Sequence, residues 1–327
     1  MTNATVFQVS QIGLETTPGT LVPANHRLQS VGFTPAVNLE LSPIRPTGSK
    51  FPIRTVPIRE WVVTRFQGNP AYEDLTYFLS GILSKVTPTN GGDGSYDWTF
   101  TPSQSSADTV ATYSLEIGSP TRAGRFNYGL VNSLELEFSR EGLPSISGEM
   151  IGRNYEDNIT MTSSPTFIPI VPIVPEQVDV YLDSTYSDLG STKLDRNFRV
   201  RLALANRFRS VWPLDSDLGL GYRAHVESGD FEGRVELLLQ VDTQGMSLLE
   251  SARDGDTLFM RVEAIGPLAG TTNPYKLWID AALGISEIGE FADHDGVYAI
   301  QYTGLVVYDS SWGKAIEVNL TNTRSSL

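Results

Sequence analysis

The chain has 327 residues, 40% of them hydrophobic, a net charge of −14 and no cysteine. This length allows two ordinary domains or one large one. The composition excludes disulfide bonds and thiolate chemistry, and the strong acidity disfavours binding to nucleic acid. No apolar run approaches the ~20 residues that span a bilayer, so we expect no membrane association. The opening sequence MTNATVFQVSQIG lacks a basic region followed by an apolar core, so we expect no secretory signal and synthesis in the cytosol.

The first half begins with extended chain and continues with strands around one helix. Residues 15–58 are rich in proline and glycine, so we predict a long extended loop or arm, with at most two short strands, that reaches a neighbouring subunit. Apolar spacings of three and four predict a helix over Ala71–Leu83, with Glu73 and Asp74 in its first turn. Alternating patterns predict strands at Arg59–Phe66, Tyr96–Thr101, Ala111–Ile117, Val131–Phe138 and Ser145–Ile151.

Residues 158–177 form a proline-rich connector, and the second half follows it. The prolines at 165, 169, 172 and 175 favour extended chain, and the apolar residues between them are expected to lie against another surface. A second helix is predicted over Gln244–Arg253, with Asp242 and Thr243 as capping candidates. The predicted strands are Phe198–Ala205, Arg234–Val241, Thr257–Ile265, Tyr275–Ala281, Tyr298–Tyr308 and Ala315–Asn319.

Three landmarks recur in the same order in both halves, at offsets of about 150 to 175 residues. We therefore predict a mostly β protein in which residues 1–157 and 178–327 form two like units, each with one helix. A duplicated β-rich unit without catalytic motifs is more often a building block than an enzyme. The landmarks are a strand–helix pair (Arg59–Leu83, Arg234–Arg253), a strand ending in Ile-Gly before a proline (Tyr113–Pro120, Phe259–Pro267) and a strand pair (Gly129–Gly152, Gly296–Leu320).

Motifs that carry chemistry are missing from the sequence. The three histidines are not at metal-ligand spacing, and we interpret Asp293-His294-Asp295 as a polar turn. The calcium-like start Asp215–Gly219 lacks its closing glutamate. The acid pairs Glu73–Asp74 and Glu135/Glu137 are interpreted as solvated faces and not as a catalytic dyad. We therefore predict no enzyme activity, no cofactor and no metal.

Several segments resemble the tail tube proteins, or major tail proteins, of long-tailed bacteriophages. The resemblance covers most of the chain, with Asp179–His225 outside it, and its motifs are structural. They are Gln11–Asn25 (QIGLETTPGTLVPAN), Arg59–Leu83 (REWVVTRFQGNPAYEDLTYFLSGIL), Tyr113–Pro120 with Arg125–Gly152 (YSLEIGSP and RFNYGLVNSLELEFSREGLPSISGEMIG) and the closing stretch Gly296–Asn322.

The resemblance implies a specific architecture. The family unit is a β-sandwich with one flanking helix and a long loop, and six units form a ring that stacks into a tube for DNA. In larger members the unit is duplicated, so three chains make a pseudo-hexameric ring, and the repeat described above favours that trimeric type. Partners implied by the resemblance are further copies of the chain, the tape measure protein and the tail terminator and tip proteins, in a virion assembled in the bacterial host.

Acidic residues that face the lumen would repel the passing DNA, which is not bound specifically. Glu135 and Glu137, on the polar face of their strand, are the lumen-facing candidates. Arg199 and Arg201 are expected to pair with acids across subunits or to place positive charge in the channel.

Two other functions stay open at this point. One is a different virion part, such as a head decoration or baseplate protein built from the same units. The other is a two-domain β-sandwich that binds carbohydrate through an exposed aromatic platform, with Trp98, Trp212, Trp278 and Trp312 as candidates.

Overall fold

The computed structural model describes residues 5–119 and 121–327. Pro120, the proline of the first Ile-Gly landmark, and the first four residues of the opening sequence lie outside the described residues. The described chain is mostly β-strand with two α-helices, which confirms the predicted fold class. The first half comprises β1 (Val9–Leu14), β2 (His26–Leu28), β3 (Val31–Ile44), β4 (Arg54–Gly68), α1 (Leu75–Ile82), β5 (Thr89–Asn90), β6 (Tyr96–Phe100), β7 (Tyr113–Ser119), β8 (Arg122–Ser139) and β9 (Ser145–Ile159).

The rest of the chain repeats this alternation of long strands around a single helix. Short 3₁₀ turns lie at Thr5–Phe7, Pro175–Gln177, Tyr186–Asp188 and Ser216–Leu218. The elements are β10 (Thr166–Phe167), β11 (Val178–Asp183), β12 (Asn197–Ala205), β13 (Phe208–Val211), β14 (Ala224–Glu227), β15 (Glu232–Gln240), α2 (Thr243–Asp254), β16 (Thr257–Leu268), β17 (Pro274–His294), β18 (Val297–Val306) and β19 (Ile316–Asn322).

The extended segment 15–58 is more regular than the sequence predicts. Instead of two short strands it contains the 14-residue strand β3, which pairs with β4 in one long hairpin. Pro35 and Pro43 lie within β3, although proline usually interrupts a strand. They are tolerated because β3 pairs only with β4 among the described strands, and an edge strand has no second neighbour that needs its N–H groups. The arm therefore exists, but as a β-hairpin.

The two halves share one order of strand pairing. In the first half the neighbours run β1-β7-β8-β9-β4-β3, with α1 in the chain between β4 and β7. In the second half they run β11-β16-β17-β18-β15-β12, with α2 between β15 and β16. Every pairing in both series is antiparallel. The first two landmarks found in the sequence thus fall on corresponding strands. The third does not, because Gly129–Gly152 covers β8 and β9 whereas Gly296–Leu320 covers β18 and β19, and the pairing order makes β17 and β18 the counterparts of β8 and β9.

Pairing between β8 and β12 joins the halves into one eight-stranded antiparallel sheet. Its order is β3-β4-β9-β8-β12-β15-β18-β17, four strands from each half. The N-terminal parts of the long strands β8 and β17 have further neighbours. There β8 pairs with β7 as well as β9, and β17 pairs with β16 and β19. These two strands therefore connect the eight-stranded sheet to the other strands of their halves.

The two helices differ in how deeply they are buried. All eight residues of α1 are buried, whereas only Gly245 and Leu248 of α2 are buried. The predicted cap of α2 is confirmed, because the Asp242 side chain accepts a hydrogen bond of 2.8 Å from the Gly245 N–H. Helix α2 thus packs against β17 through one narrow stripe, while α1 is a core element on every side.

The connector lies along the first half. Ile168 and Ile173 are buried, and the backbone of Tyr72 and Pro70 hydrogen-bonds to Val171 and Ile173 at 3.0 and 3.1 Å. The alternate apolar residues Phe167 and Ile170 are exposed. An extended segment has two sides, and here one side covers α1 while the other faces outward.

Candidate assembly surface

The centre of the eight-stranded sheet is the junction between β8 and β12. Leu134, Leu136 and Phe138 of β8 lie opposite Leu204, Leu202 and Val200 of β12, and all six are buried. Burying one such side chain stabilises a fold by about 1.5–3 kcal/mol, so this strip is a large apolar contact between the halves. The period-two pattern predicted from the sequence at both strands generates it.

The opposite face of the same junction is polar and carries the predicted lumen residues. Glu135 and Glu137 lie on this face, both partly exposed. The Arg201 guanidinium donates to Glu135 at 2.7 Å and to Glu236 of β15 at 2.9 Å. The hydrogen bond to Glu135 raises the pKa of Arg201 above its usual range. Since all three side chains are 20–33% exposed, each pair contributes about 1 kcal/mol or less.

The arginines of β12 find their partners within the chain. Arg201 binds acids from both halves, and Arg199 donates to the Gln301 side chain at 3.0 Å. Each arginine thus has a partner within the chain, but the Nε–H groups of both are buried without a hydrogen-bond partner among the described residues, so pairing with an acid of another subunit stays a prediction. A shallow, open depression on this face is lined by Arg65, Gln67, Glu135, Glu149 and Arg201.

The ends of the sheet are open along part of their length. Along Ile285–His294, β17 pairs only with β18 among the described strands, and β3 pairs only with β4. Both edges carry exposed apolar side chains. They are Val37, Leu39 and Leu41 on β3, and Ile288 and Phe291 on β17.

Beyond the sheet, the β3–β4 hairpin continues as a two-stranded hairpin arm, residues 41–58. Strand β9 pairs with β4 only from Val62 to Gly68, so the arm has no third strand among the described residues. Ile44, Phe51, Ile53 and Ile58 of the arm are exposed. An isolated two-stranded ribbon is marginally stable in water, and its apolar tip therefore indicates a contact surface.

The acids before α1 are identified in the sequence, but their burial is not. Glu73 and Asp74 are buried, so the interpretation as a solvated pair is wrong for them. The Glu73 Oε1 accepts from the Tyr275 hydroxyl at 2.9 Å and from the Thr323 hydroxyl at 2.6 Å, and Asp74 accepts from Ser30. Burial raises the pKa of the Asp74 carboxyl. Residues from the far end of the chain cover the pair, and no local sequence signal reveals such a cover.

The described residues contain no group of three or more potential metal ligands, and no helix among them is long and apolar enough to cross a membrane. Asp293 and Asp295 flank His294 at the β17–β18 hairpin, where Asp295 and Gly296 have positive φ values of 53° and 79°. This is the predicted polar turn.

The tryptophans do not form an exposed platform. Trp98 is buried and its indole N–H donates to Asn322 at 3.0 Å. The other candidates, Trp212, Trp278 and Trp312, are partly buried against Tyr222, Arg261 and Tyr186 respectively. The aromatic platform expected of a carbohydrate-binding sandwich is thus not present at these positions.

A comparison with protein families identifies one match. The family model described as phage tail tube protein matches residues 8–180, slightly more than half of the chain. A comparison with curated proteins returns no significant match. The matched region holds β1 to β10, including the β3–β4 hairpin, α1 and the long strand β8. The chain belongs to the phage tail tube protein family.

Proposed function

We propose that three copies of this chain close into a ring, and that the rings stack into the tube through which phage DNA passes. That the chain is a structural component of the phage tail follows from its family, and this family suggests self-assembly and no enzymatic role. The number of chains per ring and the passage of DNA are the proposal. A single observation carries it, namely the shared pairing order of the two halves.

Each half supplies four adjacent strands to the same sheet, in the same order and direction. If each half is one ring unit, residues 1–157 and 178–327 are two units and three chains supply six. Closing the sheet into a barrel removes its open edges, which otherwise favour aggregation. The β8–β12 junction would then be one of two kinds of contact around the ring.

The polar face of the sheet would line the channel. Glu135 and Glu137 lie on this face, and Arg201 neutralises part of the local acidity through Glu135 and Glu236. Phosphate groups are repelled by the remaining carboxylates, so DNA slides without a specific site. The depression on this face is shallow and open, which suits transport better than binding.

The hairpin arm would contact the neighbouring ring or subunit. Its exposed apolar tip, around Phe51 and Ile53, gives stacking a hydrophobic component. We further propose that the channel holds a tape measure protein and that terminator and tip proteins bind the ends of the tube. The chain would be synthesised in the host cytoplasm.

Electron microscopy of the purified chain, or of the particle that contains it, tests the ring directly. We expect tubes or stacked rings that show threefold symmetry at high resolution and approximate sixfold symmetry at low resolution. A head decoration or baseplate protein would instead give single rings or capsid-bound copies that never elongate. A population that stays monomeric under all conditions would contradict the proposal.

The position of the lumen is tested with single cysteines, since the natural chain has none. In assembled tubes, Glu137→Cys should react with a bulky polyethylene-glycol maleimide far more slowly than Glu250→Cys, an exposed position on α2. Before assembly both should react, with Glu137→Cys somewhat slower because Glu137 is only partly exposed. If the ratio of the two labelling rates is the same in tubes as in the free chain, Glu137 lies outside the channel.

A further inference from the structure

We propose that residues 316–324 act as a clasp, which must dock on α1 before the β3–β4 hairpin becomes ordered for assembly. This inference rests on the ring proposed above, and it adds that only chains synthesised beyond residue 324 can join the ring. The clasp comprises β19 and the two residues that follow it. On one side β19 pairs with β17 of the second half, and on the other side it pairs with β6 of the first half.

One side of α1 and of the turn before it binds the clasp. The Glu73 carboxylate accepts hydrogen bonds from the Thr323 N–H at 3.2 Å and from the Thr323 hydroxyl at 2.6 Å. Four residues later, the Arg324 guanidinium donates to the Tyr77 hydroxyl at 2.6 Å and lies 4.8 Å from the centre of the Tyr77 ring. Because residues four apart lie on the same side of a helix, the clasp holds this side over a full turn.

The neighbouring side of the same segment holds the β3–β4 hairpin. Asp74 accepts hydrogen bonds from the backbone N–H and the hydroxyl of Ser30, which directly precedes β3. Four residues later, the ring centre of Phe78 lies 4.6 Å from that of Phe66 on β4 and 6.3 Å from that of Phe33 on β3. All three rings are buried. The clasp and the hairpin therefore contact adjacent sides of one short helix.

Helix α1 is too short to be stable without this cover. It has eight residues, and isolated helices shorter than about 12–15 residues are marginal in water. Among the described residues, the Glu73 carboxylate receives its hydrogen bonds from Tyr275 and Thr323, which both belong to the second half. Until these residues are in place, a carboxylate that is fully buried in the folded chain has no partner. The helix thus depends on residues up to 250 positions later in the sequence.

Loss of the clasp reaches the hairpin through α1. Strand β4 pairs with β9 only along Val62–Gly68, and Phe78 of α1 covers the apolar face of the hairpin there. A two-stranded ribbon by itself is marginally stable in water. Without α1, the exposed edge of β3 and the hairpin arm have no fixed position from which to contact another copy. Unfinished chains are thereby kept out of assembly, although they already contain every residue of both surfaces.

Hydrogen exchange in the folded, unassembled chain tests the coupling between clasp and hairpin. Thr323→Ala/Arg324→Gln removes side-chain hydrogen bonds of the clasp, and the matched control Asp242→Ala removes the cap of the other helix, α2. We expect amide exchange in α1, β3 and β4 to rise about tenfold in the clasp variant, since each hydrogen bond changes an equilibrium by about two- to tenfold. The control should not raise exchange there. A rise confined to α1 and the clasp, or a rise that is equal in both variants, would overturn the coupling.

Refolding of the natural chain from denaturant, followed by pulsed hydrogen exchange, tests the order of events and needs no variant. We expect the amides of α1, β3 and β4 to become protected in the same phase as those of β19. Protection of β3 and β4 before β19 would contradict the inference.

Addition of refolding chains to preformed tubes tests the consequence for assembly. Natural chains transferred at successive refolding times should elongate the tubes only from the time at which β19 is protected, as measured by light scattering. Elongation by chains whose β19 is still unprotected would show that the clasp does not control assembly. If the fully folded natural chain forms no tubes, the proposed function fails, and the two exchange measurements then decide on the clasp by themselves.

Discussion

Removing the Asn322 side chain amide should destabilise the whole chain, because it ties the C-terminal strand to the first half. Asn322 ends β19 and is fully buried. Its Oδ1 accepts from the Trp98 indole N–H at 3.0 Å, and its Nδ2 donates to the Tyr72 carbonyl at 3.1 Å and to the Thr76 hydroxyl at 2.8 Å. The three partners lie in β6, the turn before α1 and α1 itself.

The magnitude follows from what Asn322→Ala leaves behind. A buried polar group without a partner costs about 1–3 kcal/mol. The groups that lose their side-chain partner are the Trp98 indole N–H, the Tyr72 carbonyl and the Arg324 N–H, which also donates to the Asn322 Oδ1 at 3.0 Å. The Thr76 hydroxyl keeps its bond to the Glu73 carbonyl. Some of them regain partial partners on relaxation, so we expect the free energy of unfolding to fall by about 3–5 kcal/mol. That is a large fraction of the ~5–15 kcal/mol that stabilises a typical domain.

The assay is denaturant unfolding of the unassembled chain, followed by circular dichroism and tryptophan fluorescence. Asn319→Ala is the matched control on the same strand, because the Asn319 side chain makes its 2.8 Å bond to the exposed Thr99 hydroxyl. We expect the control to cost less than about 1 kcal/mol. If Asn322→Ala unfolds within about 1 kcal/mol of Asn319→Ala, the buried amide does not hold the halves together.

Two further predictions concern the segment between β12 and β15. Burial lowers the pKa of the His225 imidazole to about 4 from 6.5, so the unfolded chain binds the extra proton first as the pH falls. The resulting stability is complete above pH ~6.5, and at most about 3 kcal/mol of it is lost by pH ~4. The difference in unfolding free energy between the natural chain and His225→Gln should therefore narrow as the pH falls over this range. A difference that does not change with pH would refute the assignment. Arg207 is buried and donates to Asp108 at 2.6 Å and to Glu227 at 3.0 Å, so Arg207→Met should cost about 3–5 kcal/mol in thermal unfolding. Adding Asp108→Asn to that variant should recover part of the loss, and no recovery would contradict the ion pair as its cause.

Local patterns in the sequence predict the strands that have one buried and one wet face. The alternation at β8, β12 and β15 and the cap at Asp242 are set by neighbours close in sequence, and the structure contains these elements within a few residues of the predicted bounds, apart from the longer N-terminal end of β8. The predicted strand Tyr275–Ala281 is much too short, since β17 runs on to His294. Register shifts after Ile285 and Ile288 break the alternation there, so the period-two pattern ends early.

What covers an element cannot be predicted in this way. The helix pattern at Ala71–Leu83 predicts one apolar face, yet every residue of α1 is buried. The extra cover comes from the connector and from the C-terminal residues near Thr323 and Arg324, about 250 positions away. The same distance in sequence hides the burial of Glu73, and a separation of 66 positions between Glu135 and Arg201 hides the junction between β8 and β12. Sequence patterns predict which face of a helix or strand is apolar, but only the tertiary fold shows which elements pack against that face.

The charges at the internal β8–β12 junction differ from those at the open edges of the sheet, which would meet when the ring closes. At β8–β12, Arg201 approaches Glu135, so opposite charges meet. At the open edges, β17 carries the exposed acids Glu287, Glu290 and Asp293, while the acid of β3, Glu40, is already bound by Arg59 of its own hairpin. Edge pairing between copies would therefore bring acids together without a new cation.

Repulsion of this kind would oppose edge pairing in solution, so we predict that it slows assembly. Its range is about 10 Å at 0.1 M salt and about 3 Å at 1 M, so raising the salt concentration should speed ring and tube formation as measured by light scattering. Glu290→Gln should assemble faster than the natural chain at low salt, and the two rates should converge at high salt. If salt slows assembly instead, attraction between opposite charges governs the junction and the acids of β17 face cations that the pairing with β3 does not supply.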